Sequence, residues 1–340
     1  MKRNQSLCLD WEVSWRGAWH RSQYDARTGI GIIEKRSRAI KTRARNIKKG
    51  GSLLRSAPSI KYQFILEHDE FDTRLMCRIL SVSKSGFYDW RSRPESPRCK
   101  ENERLLEKLK KSFTDSHRTY GVRRLTKDLK DLGEPVNHKR VARLKQENHI
   151  YPKQHKAFVV TTDSTHGKGV ADNLLDRQFD VNKPNAVWVS DITYIATKVG
   201  WVYLAVIIDL YSRQVIGWQL ADHMKAELVC QAVEMARYNR GCLPELFHSD
   251  RGSQYVSEEL EDVLSGVTIS MSRKGNCWDN AVAESFFGTL KTEHTNHERY
   301  KNIKEARMSL FQYIEGFYNR KRRHSTLGYV SPSQFEEQAA

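Results

Sequence analysis

Between Val187 and Leu220 the chain sets three runs of β-forming residues one after another, and this constrains its fold more than any other feature. Val187–Ile195, Trp201–Asp209 and Val215–Leu220 are rich in Val, Ile, Trp and Tyr, residues that suit a pleated, half-buried surface. Only Lys198-Val199-Gly200 and Ser212-Arg213-Gln214 separate them. Connections this short join antiparallel neighbours, because a parallel return needs a dozen residues or more. An antiparallel meander is expected. The pattern then changes. Lys225–Asn239 reads as a helix with Leu228, Val229, Ala232 and Met235 on one side, followed by a short strand at Leu246–Asp250. A helix over Ser257–Leu264, a brief strand over Val267–Met271, the loop Lys274–Trp278 and a helix opened by Asp279 and Asn280 complete the series. Strands first, then strands alternating with helices, predict a mixed α/β sheet flanked by helices.

At 340 residues the chain exceeds one ordinary domain. Its longest clean apolar stretch, Trp201–Ile208, is far short of the roughly 20 residues of a membrane span. The basic start Met1-Lys2-Arg3-Asn4 is not followed by an apolar segment of signal-peptide type, so the expected location is the cytoplasm. Six widely separated cysteines form no zinc-ligand spacing and read as reduced, mostly packed thiols. The net charge of +16 is concentrated: residues 1–150 hold 35 Lys and Arg against 18 Asp and Glu, whereas residues 151–340 hold 22 against 23. A basic front joined to a near-neutral back points to a polyanion-binding module attached to something that acts on what is bound.

Residues 1–60 are basic and poorly patterned; Trp11, Trp15 and Trp19 recur every four residues there without a surrounding helical pattern. Over 61–97, Phe71, Leu75 and Ile79 step by four, Ser81-Val82-Ser83 breaks the run and Lys84–Trp90 resumes it, as a helix-turn-helix or a plain helical hairpin requires. Arg93–Arg98, with Pro94 and Pro97, reads as a linker. Residues 98–155 predict three helices: one on Leu105, Leu106 and Leu109, one on Val122, Leu125, Leu129 and Leu132, and one on Val141 and Leu144 behind an Asn137 cap. Their basic faces carry Arg123, Arg124, Lys127 and Lys130, then Lys139, Arg140, Arg143 and Lys145, a pattern that fits a small helical DNA-binding unit of helix-turn-helix type better than a merely solvated face. Residues 156–182 lack a period and read as a linker to a domain over 183–340 that carries a basic C-terminal helix.

Three acids stand out in that last domain. Asp191 lies inside a strand, Asp250 at the end of another and Glu284 one turn into a helix. An ionised carboxylate in a β-run must be paired or bound to metal. Three converging carboxylates suit two hard divalent cations, which clamp the attacking and leaving oxygens of a phosphoryl displacement. Each acid alone is equally well a cap, a turn or an ion pair; Asp209, which closes the second strand before a turn, is the best example of that role. Gly288 and Lys291 follow Glu284 on one helix face, which suits either an approach to DNA or a tight helix packing at Gly288 with Lys291 in water.

Several stretches resemble one family. Val187-Trp188-Val189-Ser190-Asp191-Ile192-Thr193-Tyr194, Ile208–Arg213, His248-Ser249-Asp250-Arg251-Gly252-Ser253-Gln254-Tyr255 and Ser272–Ala281 through Glu284-Ser285-Phe286-Phe287 resemble the catalytic second-frame product of IS3-type insertion-sequence transposases, within the retroviral-integrase-like DDE superfamily. Phe317–Arg320 with Arg323–Tyr329 and Pro332 resembles that family's C-terminal signature, and Tyr120–Arg124 with Val136–Val141 its helical DNA-binding segment; the likeness covers about residues 61–335. It implies an RNase H-like core, a catalytic and metal-binding triad at Asp191, Asp250 and Glu284, and Mg²⁺ or Mn²⁺, two ions, as cofactor. It implies nicking at the terminal inverted repeats of a mobile element and strand transfer into target DNA by direct transesterification. A homo-multimer on DNA, the upstream-frame product as a further partner, and a nucleoid-associated location follow from the same likeness. Lys291 is similar to the lysine such enzymes set against the DNA end, and Arg320, Arg322 and Arg323 fit phosphate contacts or charge at a helix C-terminus. Between Asp250 and Glu284 lie 33 residues, two fewer than the family's usual pattern, and the shortening falls within Glu258–Ile269. A nuclease that cuts without joining, and a DNA-binding remnant without catalysis, are the alternatives.

Overall fold

The computed structural model describes Arg38, residues 53–153, 171–274 and 276–339, with only the backbone at Cys277. The Trp11, Trp15 and Trp19 stripe and most of the 1–60 segment lie outside the described residues. The chain divides into two compact units, one ending at Pro97 and one running from Arg98.

The first unit holds α1 (Pro58–Glu67), α2 (Thr73–Ile79) and α3 (Lys84–Ser92). Asp72 caps α2 by accepting from the Leu75 amide at 2.9 Å, and Ser83 caps α3 by accepting from Gly86 at 3.2 Å. Both satisfy amides that a helix start leaves without an internal partner. Between them Ser81 takes a left-handed conformation (φ 53°), which turns the chain. Phe64, Ile65, Met76, Leu80 and Phe87 form the small core.

The second unit begins with α4 (Pro97–Asp115), α5 (Val122–Asp131) and α6 (His138–Glu147). Asn137 caps α6 on the Lys139 amide. The three predicted stripes face inward except for Leu132, which ends α5 and is 59% exposed. The sheet follows: β1 (Val187–Thr197), β2 (Gly200–Asp209), β3 (Val215–Ala221), β4 (Leu246–Ser249) and β5 (Thr268–Met271), in the order β3-β2-β1-β4-β5. β1, β2 and β3 pair antiparallel, and β4 and β5 add in parallel on the other side of β1. The meander and the mixed sheet are both as the sequence predicts. α7 (Ala226–Arg240) and α8 (Glu258–Val263) connect the later strands. After a short 3₁₀ turn (Cys277–Asn280) come α9 (Ala281–Glu293), α10 (Ile303–Phe311), a π-helical continuation (Gln312–Tyr318) and α11 (Pro332–Ala339).

Strand alternation splits the core. Ala205 and Ile207 face α7, together with Trp188 and Phe247. Leu204, Val206 and Ile208 face α9 and the C-terminal helices. Buried aliphatic side chains of this kind contribute about 1.5–3 kcal/mol each. On the α7 side contact is so close that a Cβ on Gly217 would lie 2.2 Å from the Ala232 carbonyl oxygen. On the α9 side Leu105, Leu109, Leu125, Leu129 and Val141 of the helical segment join the same hydrophobic cluster as Phe286, Phe287 and Tyr313. Residues 98–153 therefore share a core with the sheet domain.

Two expectations need correction. The basic run at Arg320–Arg323 does not form a C-terminal helix: it occupies the turn after the π-helical stretch, while the last helix, α11, carries Glu336 and Glu337. Nor, among the described residues, are the thiols mostly packed: Cys77 is buried and Cys230 half-buried against the core, whereas Cys99 and Cys242 are exposed, and all four are free.

Candidate active site

The sheet register brings the two aspartates together. β1 and β4 run parallel with Val187 opposite Leu246, Trp188 opposite Phe247 and Val189 opposite His248. The same register continued by two residues sets Asp191 beside Asp250, where β4 has just ended. The Asp250 carboxylate accepts from the Gly252 amide at 2.9 Å, and a Cβ on Gly252 would stand 3.0 Å from that oxygen. Any larger residue there would crowd the carboxylate. Asp191 accepts from the Ile192 amide at 2.8 Å.

Glu284 comes from the first turn of α9. The start of that helix is fixed by Asp279, which is fully buried. Its carboxylate receives Arg273 at 2.9 Å, Arg177 at 2.8 Å and Asn173 at 2.9 Å, together with the Arg273 amide. These donors hold its pKa well below the usual carboxylate range, the Arg273 side-chain hydrogen bond most of all. Asp279 is thus a clamp on the loop before α9, a role the sequence reading missed: it expected a helix cap, and Arg177 lies about a hundred residues away. Lys291, two turns beyond Glu284, sets its ammonium 4.7 Å from the centre of the Tyr194 ring.

Electrostatics tie these groups into one site. Burial pushes the Asp191 carboxyl well above its ordinary value; the charges of Asp250 and Glu284 push it further, and the Ile192 amide and Lys291 oppose them. Burial also raises Glu284 and lowers Lys291. Mutually repelling hard-oxygen donors are the set that a divalent cation relieves. Among the described residues no group of three or more His, Cys, Asp or Glu side chains is close enough to hold a metal ion; what fits a divalent cation here is the chemistry of the donors, hard carboxylate oxygens whose charges repel one another. The residues fit such an ion. Asp209 plays the turn role foreseen for it: it is buried, accepts from the Asn185 and Tyr211 amides at 3.0 Å each, and lies opposite Trp188, away from the triad.

Two matches to integrase core domain families cover residues 181–277 and 265–332, and an HTH-like domain matches residues 100–158. The insertion element IS600 uncharacterized 31 kDa protein of Shigella sonnei is 44% identical across 77% of this chain and 97% of its own length. The InsF transposase of insertion sequence IS3A from Escherichia coli K12 is 41% identical, across 82% of this chain and 98% of its own. The chain belongs to the IS3 family of transposases. It is accordingly a polynucleotidyl transferase of the DDE class, active in DNA transposition. Among solved structures, the HTLV-2 integrase catalytic core domain in complex with magnesium is 16% identical, covering 45% of this chain and 96% of that one at a TM-score of 0.35.

The basic residues of this transposase divide into two groups. Arg123, Lys139, Arg143 and Arg320 are exposed, although Arg143 also lies 3.6 Å from Glu147. The others face protein. Arg140 holds Asn102 and Glu101, and Arg124 lies 3.5 Å from Glu293. Arg322 is 5% exposed and grips Glu293 through two hydrogen bonds of 2.8 Å, so its guanidinium cannot also face a phosphate: the expected DNA contact is a buried ion pair. Arg323 is bound to Asp128 and Asp131 of α5 and to the Tyr329 carbonyl. Glu293, the partner of both Arg124 and Arg322, carried no sequence signal. Among the described residues no helix is long and apolar enough to cross a membrane.

Proposed function

We propose that Asp191, Asp250 and Glu284 are the carboxylates with which this transposase nicks DNA at the ends of its element and transfers the exposed 3′ end to a target strand. The observation that carries this reading is the parallel β1–β4 register, which runs from Val187 opposite Leu246 to Val189 opposite His248 and so leads toward Asp191 and Asp250, together with the upward push of Asp250 and Glu284 on the pKa of Asp191. Asp191, Asp250 and Glu284 would hold Mg²⁺ or Mn²⁺, two ions in this reading, which would supply charge stabilisation at the reacting phosphodiester.

The chain's own groups do the rest. Lys291 presents a cation at the edge of the site, held over Tyr194 and within reach of Asp191, where it orients the phosphate of the DNA end. Gly252 and the Asp279 clamp keep two of the three acid-bearing segments in place. No protein nucleophile is needed: water opens the first phosphodiester and frees a 3′ hydroxyl. That hydroxyl attacks the target phosphorus as the target's own oxygen leaves, so one phosphodiester forms for each one broken. The HTH-like helices over 100–158 bring the terminal repeats to the site, with Arg123, Lys139, Arg143 and Arg320 open to phosphate, and several copies work together on paired ends.

Purified chain, labelled duplex carrying the terminal repeats, and Mg²⁺ test this reading. Asp250→Asn is expected to bind the duplex as wild type does and to lose nicking by about 10³-fold or more; unchanged nicking defeats the assignment. Products longer than the donor strand, formed by wild type, separate transfer from simple cleavage.

A further inference from the structure

Asn280 occupies the N-cap position of α9, where an Asn side chain ordinarily accepts from an amide of the first turn. It makes no such bond. Its amide nitrogen instead donates to the main-chain carbonyl of Ser190 at 3.1 Å, and its oxygen is left buried without a partner. Ser190 is the residue before Asp191, and Asn280 lies one helical turn before Glu284. The hydroxyl of the same Ser190 is 2.9 Å from the hydroxyl of Tyr255, which belongs to the segment that begins at Asp250. All three residues are buried, Ser190 completely, Tyr255 to 2% and Asn280 to 4% exposure.

The three acid-bearing segments therefore meet at one residue. Its carbonyl takes the helix of Glu284, its hydroxyl takes the loop of Asp250, and its own backbone continues into Asp191. Unsatisfied buried polar atoms are scarce in folded proteins, and this one results from aiming Asn280 at the strand rather than at its own helix. We propose that Ser190, Tyr255 and Asn280 form a buried hydrogen-bonded hub that sets the spacing of the three carboxylates. They are positioning residues, acting through Asp191, Asp250 and Glu284 without touching DNA. The inference rests on the triad assigned above. It explains how carboxylates from three separate segments hold a working distance before any ligand draws them together, much as the partners behind metal ligands do elsewhere.

Tyr255→Phe removes one hydroxyl, and Asn280→Asp keeps the shape while turning the donor into an acceptor that faces a carbonyl. Each is compared with wild type and Asp250→Asn in the full-length chain. The measurements are duplex affinity, single-turnover nicking, melting temperature and binding of Mn²⁺ alone, followed by paramagnetic resonance. Each hub variant is expected to keep its fold and its duplex affinity while losing about 10- to 100-fold in nicking rate and a similar factor in Mn²⁺ affinity. Ser190→Ala combined with Tyr255→Phe is expected to cost no more than either alone, since both break the same bond. Wild-type nicking and wild-type Mn²⁺ binding in folded Tyr255→Phe and Asn280→Asp would overturn the hub. If Asp250→Asn is inactive in the same experiment, the triad stands without it; if Asp250→Asn is active, the triad itself has failed.

Discussion

The acidic and the basic residues of this transposase obey different rules. All three candidate carboxylates stand at one site, whereas the candidate arginines are divided between solvent and the interior. The difference is one of side-chain length and cost. A short Asp within β1 has no long stem on which to move away from the strand, so its half-buried place there calls for a partner close by, and only a few kinds of partner exist. An arginine on a helix has a long apolar stem that lies equally well along the surface or across a core, and its fork matches a carboxylate as well as a phosphate. Arg322 and Arg323 are sequence neighbours of Arg320, yet Arg322 is buried against Glu293 and Arg323 is bound to α5, while Arg320 is exposed.

The sharpest way to break this contrast is to remove Arg322. Asp250→Asn is expected to leave the fold intact and remove the chemistry; Arg322→Ala should do the reverse. It strands Glu293 among Arg124 and the Tyr313 hydroxyl, which donates to it at 2.9 Å. Breaking one partner of a buried ion pair costs about 3–5 kcal/mol. Thermal and denaturant unfolding should both show that loss. An Arg322→Ala protein of wild-type stability with weakened duplex binding would return Arg322 to the DNA contacts.

A smaller effect sharpens the other side. Arg123→Ala and Lys139→Ala change exposed residues and should leave unfolding within about 0.5 kcal/mol of wild type. If each meets one phosphate, the slope of log affinity against log salt falls by about 0.9 per variant. The stability-neutral outcome with an unchanged slope would make both residues part of a merely solvated face.

These outcomes bear on what could be read from the chain before its structure. The meander, the later alternation and their boundaries were legible within a residue or two, because β-branched runs, two short turns and helical stripes are local signals. The positions of Asp191 in β1, of Asp250 just after β4 and of Glu284 in the first turn of α9 were legible for the same reason. Asp279 was visible but was given the wrong role, since its partners Arg177 and Asn173 approach from a loop with no periodic pattern. Glu293 was invisible: a helix-terminal Glu next to Lys and Thr looks solvated until Arg322, 29 residues on, is folded back over it. The shared core of α4, α5 and α6 with the sheet domain was equally hidden, because an apolar stripe shows that a face is buried and not what buries it.

The interior cluster around Glu293 makes a last prediction, the smallest. His294 stacks on Tyr313 with ring centres 4.9 Å apart and an interplanar angle of 17°, and its ring nitrogen lies 2.8 Å from the Ser309 hydroxyl. Burial lowers its pKa to about 4, and the charges of Lys153 and His117 add to the effect. In the unfolded chain the same imidazole binds its proton near its ordinary value of 6.5. Between those two values the unfolded state holds more protons, so stability is fully present above about pH 6.5 and drains away as the pH falls toward 4. His117 and His324 are lowered by burial as well and steepen the same decline. His294→Gln keeps a polar group facing Ser309 but cannot take up the proton. Its unfolding free energy should be lower than that of wild type at pH 7.5 and should converge on it by pH 4.5. Parallel pH profiles for the two proteins would mean that His294 takes up its proton equally in the folded and unfolded chain and that its place in the buried cluster has been misjudged.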